Sequence, residues 1–182
     1  MKLFLLHCWG GDGRSCWSGW IADRMREKGA EVISPDLPNP SVPHIEEWLA
    51  EIRKNVKRFD GRWTLVGHSL GCPTILRLLE SFDEKEKVGA AILVAGFARD
   101  LHIPEIQNFV YKDFGWEKIR RGAGKFIVIN SDNDPFIELH EGERVAKMLG
   151  AEFIVEHNAG HINEGSGFTE YPRLLALIES LG

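Results

Sequence analysis

The sequence predicts an α/β architecture, a mainly parallel sheet of about six strands in a three-layer sandwich, and three observations predict it. Short runs rich in Val, Ile and Leu alternate with amphipathic segments of helical periodicity along the whole chain. The runs are apolar throughout, as strands covered on both faces require. The residues with chemical potential gather just after the runs, where parallel sheets bind their ligands.

The elements follow in order. Residues 3–7 form the first strand, a helix over 17–28 is closed by Gly29, and a second strand covers 31–34 before the turn-rich Pro35-Asp36-Leu37-Pro38-Asn39-Pro40. The periodicity predicts a helix over 44–59, a third strand over 63–66 and a helix running on to 81. Strands at 88–94 and 125–130, a helix over 136–149, a sixth strand at 152–156 and a last helix over 171–181 complete the chain. No internal repeat interrupts this order, and 182 residues at 43% hydrophobic suffice for one well-buried core, so a single domain over 1–182 is expected.

Composition narrows the partners. A formal net charge of -5, with basic residues scattered among acids, offers no field for a phosphate backbone, so no nucleic acid is expected. The densest charge, Asp83-Glu84-Lys85-Glu86-Lys87, mixes signs between a helix and a strand and reads as a solvated connector. The three cysteines, Cys8, Cys16 and Cys72, form no C-x-x-C pair and argue against a disulfide framework. The apolar stretch before His7 is too short for a signal peptide, and no run reaches transmembrane length. A soluble, cytoplasmic protein without a membrane partner is the expectation.

The densest chemical signal is Gly67-His68-Ser69-Leu70-Gly71, which follows the apolar Trp63-Thr64-Leu65-Val66 and leads into a helix. Ser69 then sits on a sharp strand-to-helix turn, a nucleophile elbow, with small residues two positions to either side where a side chain would collide. The helix N-terminus favours negative charge developing beside the serine. G-x-S-x-G arises by accident in roughly one chain in ten of this glycine content, and an accidental Ser69 would merely cap the helix. The context carries the assignment.

That context lies downstream. The fifth strand is followed by Asn130-Ser131-Asp132-Asn133-Asp134-Pro135-Phe136, and the sixth by His157-Asn158-Ala159-Gly160-His161. The order Ser, Asp, His is the one expected of a serine nucleophile on an α/β sheet. A serine hydroxyl attacks only when an imidazole takes its proton, and a carboxylate on the other ring nitrogen fixes the tautomer. His161 after its glycine is the better base, and His157 reads as a packed or surface histidine. Asp134 and Asp132 compete as the acid; Asp134 precedes a proline, so it could equally cap a helix.

The oxyanion of an acyl-transfer intermediate needs backbone N–H donors. Leu70, next after the nucleophile, supplies one. The second is expected from His7-Cys8-Trp9-Gly10-Gly11-Asp12-Gly13, at Trp9 or, next, Cys8. This loop lacks a P-loop lysine and dinucleotide spacing, so no cofactor is expected. His7 and His68 flank the site, yet no pair shows zinc-site spacing, so no metal is expected either.

Taken together, the first strand with its glycine-rich loop, Trp17 and Trp20, Pro35-Asp36-Leu37-Pro38, the elbow, Trp116-Glu117-Lys118-Ile119, Asp132-Asn133-Asp134-Pro135-Phe136 and Gly160-His161 resemble the small serine hydrolases related to retinoblastoma-binding protein nine. The resemblance covers nearly the whole chain and implies a compact α/β-hydrolase fold with a minimal cap, with Ser69 as nucleophile, Asp134 as acid and His161 as base. One departure is that His7 is followed by Cys8, where many α/β-hydrolases have glycine.

The expected activity is a serine hydrolase, foremost a carboxylesterase on small acyl esters. An amidase or peptidase with the same residues, or a non-catalytic interaction module on this fold, is the alternative. Phe97, Ile103, Phe109, Tyr111, Phe114 and Trp116 in segment 96–124, with Trp9 and Phe136, are candidates for an apolar wall over the serine, or else ordinary packing residues.

Overall fold

The computed structural model describes residues 1–182. Strands β1 (Lys2–Leu6), β2 (Glu31–Ile33), β3 (Trp63–His68), β4 (Val88–Val94), β5 (Ala123–Ser131) and β6 (Glu152–Glu156) form one sheet in the order β2-β1-β3-β4-β5-β6. Every pairing is parallel. Helices α1 (Ser18–Glu27), α2 (Ile45–Asn55), α3 (Gly71–Ser81), α4 (Trp116–Arg121), α5 (Leu139–Leu149) and α6 (Pro172–Glu179) cover both faces.

The pleat sorts the strand side chains into two cores. Phe4, Leu6, Leu65, Leu93 and Val128 face α2, α3 and α5, whereas Leu3, Leu5, Val66, Ile92 and Ile127 face α1 and α6. Both faces are apolar, which is why the strands read as continuous hydrophobic runs. Truncating a fully buried side chain such as Ile75 to alanine costs about 2–5 kcal/mol.

The chain winds from β1 outward to β2, then crosses back to place β3 on the other side of β1. Between β1 and β3 the winding direction reverses, the place where open α/β sheets bind their ligands beyond the carboxyl ends of the strands. The glycine-rich loop and the elbow leave the carboxyl ends of β1 and β3.

Element boundaries depart from expectation where side chains redirect the backbone. The helix expected over 44–59 stops at Asn55, because Val56 turns extended and carries Val56 and Phe59 into the core. The helix expected from 136 begins at Leu139, because the Asp134 carboxylate takes the N–H groups of Phe136 and Ile137 in a tight turn first. Helix α4 leaves no mark in the sequence pattern, since six residues are too few to show a helical period.

Segment 96–122 packs inward. Phe97, Phe109 and Phe114 are buried in the larger core, so these three are packing residues and form no exposed wall over the serine. Arg77 of α3 fixes the segment, donating to the carbonyls of Phe109, Lys112 and Asp113 while its guanidinium lies 3.7 Å from the Phe114 ring centroid. Among the apolar-wall candidates, Tyr111, Trp9 and Phe136 are the exposed ones. No helix is long and apolar enough to cross a membrane.

Candidate active site

Ser69 occupies the left-handed region, with φ at +52°, between the end of β3 and the start of α3. A non-glycine residue takes that conformation only where its surroundings enforce it. Here the Ser69 N–H donates to the Val94 carbonyl at 2.8 Å, and its own carbonyl accepts from Cys72 N at 2.9 Å. The flanking glycines are sterically required: a Cβ on Gly67 would lie 2.6 Å from the Gly71 backbone, and one on Gly71 would lie 2.4 Å from the Leu6 carbonyl oxygen. Ser69 is not the helix cap; Leu70 holds that position without a side-chain cap.

The two acids and two histidines at the ends of β5 and β6 sort into separate pairs. His161 Nδ1 meets Asp134 Oδ2 at 2.7 Å, with the two side chains 10% and 0% exposed. His157 Nδ1 meets Asp132 Oδ2 at 2.5 Å, with 76% and 33% exposure. Asp134 uses its other oxygen, Oδ1, to accept from Phe136 N and Ile137 N at 2.9 and 3.1 Å, so it performs the anticipated capping, of a turn and not of a helix, while also holding His161. The Asp132 carboxyl lies below its ordinary pKa because Asn158 N–H and then His157 hydrogen-bond it.

His161 is fixed through its backbone as well. Its N–H donates to Ser166 Oγ at 3.1 Å, and its carbonyl accepts from His68 Nε2 at 3.0 Å. The next carbonyl, of Ile162, accepts from Trp17 Nε1 at 3.0 Å. Ile162 itself sits at φ +51°, a costly conformation for a β-branched residue, which these bonds hold in place. Upstream, Ser131 Oγ and Asn133 Oδ1 accept from Ala159 N and Gly160 N, lacing the β5 loop to the β6 loop. The His161 ring lies 5.2 Å from that of His68, the neighbour of Ser69, and 5.1 Å edge-on from exposed Phe136. With Nδ1 engaged by Asp134, Nε2 is the nitrogen left free.

On the other side, the loop after β1 is sutured to residues 34–41. His7 Nε2 accepts from Leu37 N at 3.0 Å, while Nδ1 meets the Cys8 carbonyl at 2.7 Å, so Nδ1 carries the proton. Burial pushes the His7 pKa down, consistent with this neutral, doubly bonded ring. Gly13 N donates to Asp36 Oδ1, Gly10 N to the Pro40 carbonyl, and Trp9 Nε1 to the Ser41 carbonyl. The Pro35-Asp36-Leu37-Pro38 stretch thereby shapes the loop. The backbone N–H groups of Trp9 and Leu70 donate to no other group of the protein.

Cys8, next after His7, is not in the left-handed region, so its Cβ leaves the loop unstrained. Its Sγ joins Cys16 and His68 in a cluster whose ligand atoms all lie within 4.8 Å of one another. The close approach of the two thiols pulls the Cys16 pKa down and pushes that of Cys8 up. Sequence spacing could not reveal this cluster, because His68, at the end of β3, joins two cysteines of the loop between β1 and α1. The anchoring roles of Trp17, His68 and Ser166 were equally invisible, although Trp17 and His68 fall within the motifs already quoted.

The molecule's larger hollows lie elsewhere. A cavity of 470 Å³ between Phe82 and Arg121, and one of 430 Å³ lined by Arg99, Lys112 and Glu141, include neither Ser69 nor His161.

Comparison with known proteins agrees with this architecture. The family model described as "Serine hydrolase" matches residues 3–180. YdeN of Bacillus subtilis strain 168, named as a hydrolase, is 29% identical over 180 residues, covering 98% of this chain and 95% of its own. Its crystal structure superposes with a TM-score of 0.94 over 99% of this chain and 97% of that one. The rat protein Serine hydrolase RBBP9 is 26% identical over 168 residues, 91% of this chain and 86% of its own. At the level of fold alone, polyneuridine aldehyde esterase aligns with a TM-score of 0.68 at 14% identity, covering 100% of this chain and 98% of that one. The fold is that of the α/β-hydrolases.

Proposed function

The chain belongs to the serine hydrolase family, and from that premise we propose that it is a carboxylesterase acting on small acyl esters through Ser69, Asp134 and His161. The observation that carries this reading is the buried Asp134–His161 pair, whose free Nε2 belongs to a ring packed against the residue beside the strained Ser69.

In this reading His161 Nε2 takes the Ser69 proton as Oγ attacks the ester carbonyl carbon. The carbonyl π pair moves onto oxygen, and the unengaged N–H groups of Leu70 and Trp9 bind that oxyanion. Asp134 stays ionised, holds Nδ1–H and stabilises the imidazolium. The tetrahedral intermediate collapses to an acyl-serine, and the alcohol leaves with the proton from His161. Water repeats the sequence, with His161 as base, to release the acid and restore Ser69. No step calls for a cofactor.

Small esters fit because the cavities of 470 and 430 Å³ described above include neither Ser69 nor His161, and Trp9 and Phe136 supply exposed apolar surface for a short acyl group. Three free thiols fit a reducing compartment, and we place the protein in the cytoplasm.

The test is fluorophosphonate labelling together with p-nitrophenyl acetate turnover. Wild type should react with both, and Ser69→Ala with neither. A wild-type protein inert to both favours the interaction module instead, and turnover of amides in preference to esters moves the assignment to an amidase.

A further inference from the structure

We propose that Cys8, Cys16 and His68 form a binding site for a soft divalent cation of the Zn²⁺ type, set between the loop after β1 and the elbow. The proposal is independent of which bond the serine site cleaves.

Three observations carry it. The first is convergence: two thiol sulfurs from the loop between β1 and α1 and an imidazole nitrogen from the end of β3 have their ligand atoms within 4.8 Å of one another. Tetrahedral Zn²⁺, with Zn–S near 2.3 Å and Zn–N near 2.0 Å, wants ligand separations of about 3.5–3.8 Å, so an inward movement of about 1 Å completes the site. The donor set is the soft sulfur and nitrogen chemistry that favours zinc over magnesium or calcium.

The second is the protonation of His68. Its Nε2 lies 3.0 Å from the His161 carbonyl, which can only accept, so Nε2 carries the proton and Nδ1 keeps its lone pair. Metal-bound histidines are oriented by such a bond from the non-ligating nitrogen to a carbonyl or carboxylate. The ring is 2% exposed and wedged between Trp17 at 5.5 Å and His161 at 5.2 Å, so Nδ1 is presented without rotational freedom.

The third is the backbone of Cys16. It is held at φ +56°, outside the ordinary range of a non-glycine residue, and its N–H is tied to Glu164 Oε1 at 2.9 Å. Strain of this kind concentrates at ligand sites, where surrounding bonds enforce a side-chain direction. The fully buried Cys72 instead has its thiol spent on the carbonyls of Gly67 and Val94.

Three protein ligands leave a fourth position for water, and two thiolates neutralise the dication. Cys8 directly precedes Trp9 and His68 directly precedes Ser69, so a bound ion would clamp the β1 loop to the elbow.

Reduced, metal-free protein is titrated with Co²⁺ under a phosphine reductant, then back-titrated with Zn²⁺. One Co²⁺ per chain with thiolate-to-cobalt charge-transfer absorption, displaced by one equivalent of Zn²⁺, is the expected result. Cys16→Ser should weaken Zn²⁺ binding by at least about tenfold and lower the charge-transfer intensity. Cys72→Ala should change neither. Circular dichroism verifies that each variant is folded, and Cys16, in a half-exposed loop, tolerates replacement if Cys8→Ser does not. Absence of the charge-transfer band in reduced wild type, or its persistence at full intensity in Cys16→Ser, overturns the proposal.

Discussion

Two aspartate–histidine pairs bridge the same two loops, and they could hardly be treated more differently by the fold. Asp132 and His157 meet at 2.5 Å, Asp134 and His161 at 2.7 Å, and each histidine presents Nδ1. By hydrogen-bond length alone the outer pair is the equal of the inner one. The outer imidazole, however, is 76% exposed, whereas the inner one is 10% exposed and its carboxylate is fully covered. Water competes for every partner of the outer pair, so the contact confers little orientation. The inner pair is held through Ser166, His68 and the turn at Phe136 and Ile137, so its ring has one direction. What turns an aspartate–histidine contact into a candidate oriented base is the rigidity around it.

Substitution can break this contrast, and the largest effect belongs to the histidines. His161→Ala should lower kcat on p-nitrophenyl acetate by a factor on the order of 10⁴ to 10⁶, while His157→Ala stays within about twofold. Equal losses would erase the distinction. Next come the acids: Asp134→Asn should reduce kcat by a factor on the order of 10⁴ by favouring the wrong tautomer, and Asp132→Asn should leave it near wild type. The reverse outcome would make Asp132 the working acid.

A smaller effect tests the anchoring directly. A Cβ at Gly160 would lie 2.3 Å from Ser166 Oγ, on a residue with φ at +54°. Gly160→Ala should therefore cost about 1–3 kcal/mol in denaturant unfolding, and lower kcat with little change in KM by displacing His161. Unchanged kcat would mean that the ring tolerates more movement than its hydrogen bonds suggest.

The smallest effect is one of pH. Asp132 has a folded pKa below its unfolded value, so its stabilising contribution is present above the ordinary carboxylate range and is lost as pH falls through the folded value. The Tm difference between wild type and Asp132→Asn should accordingly be constant near neutrality and shrink below about pH 4. A difference that grows on acidification would contradict the sign.

The same contrast explains what the sequence could and could not disclose. The strands, the elbow and the positions of its downstream partners follow from local pattern, because a buried parallel strand and a Gly-flanked turn each leave a periodic or steric mark. Asp132 and Asp134 sit two residues apart in one loop, and nothing local says which will be covered; that depends on a turn whose N–H groups Asp134 itself collects. The aromatic residues of segment 96–124 stay ambiguous in the sequence for a related reason. Phe97, Phe109 and Phe114 are suited equally to a pocket wall or a core, and it is Arg77, from a distant helix, that draws two of them inward.

That inward packing of segment 96–122 has a kinetic consequence. Phe97, Phe109 and Phe114 are drawn into the core and Ser69 is itself partly exposed, so in the mechanism proposed above an acyl group on its oxygen would be open to water. Acyl transfer in buffer should therefore end chiefly in hydrolysis, with added methanol taking a share of the acyl group that rises with its concentration.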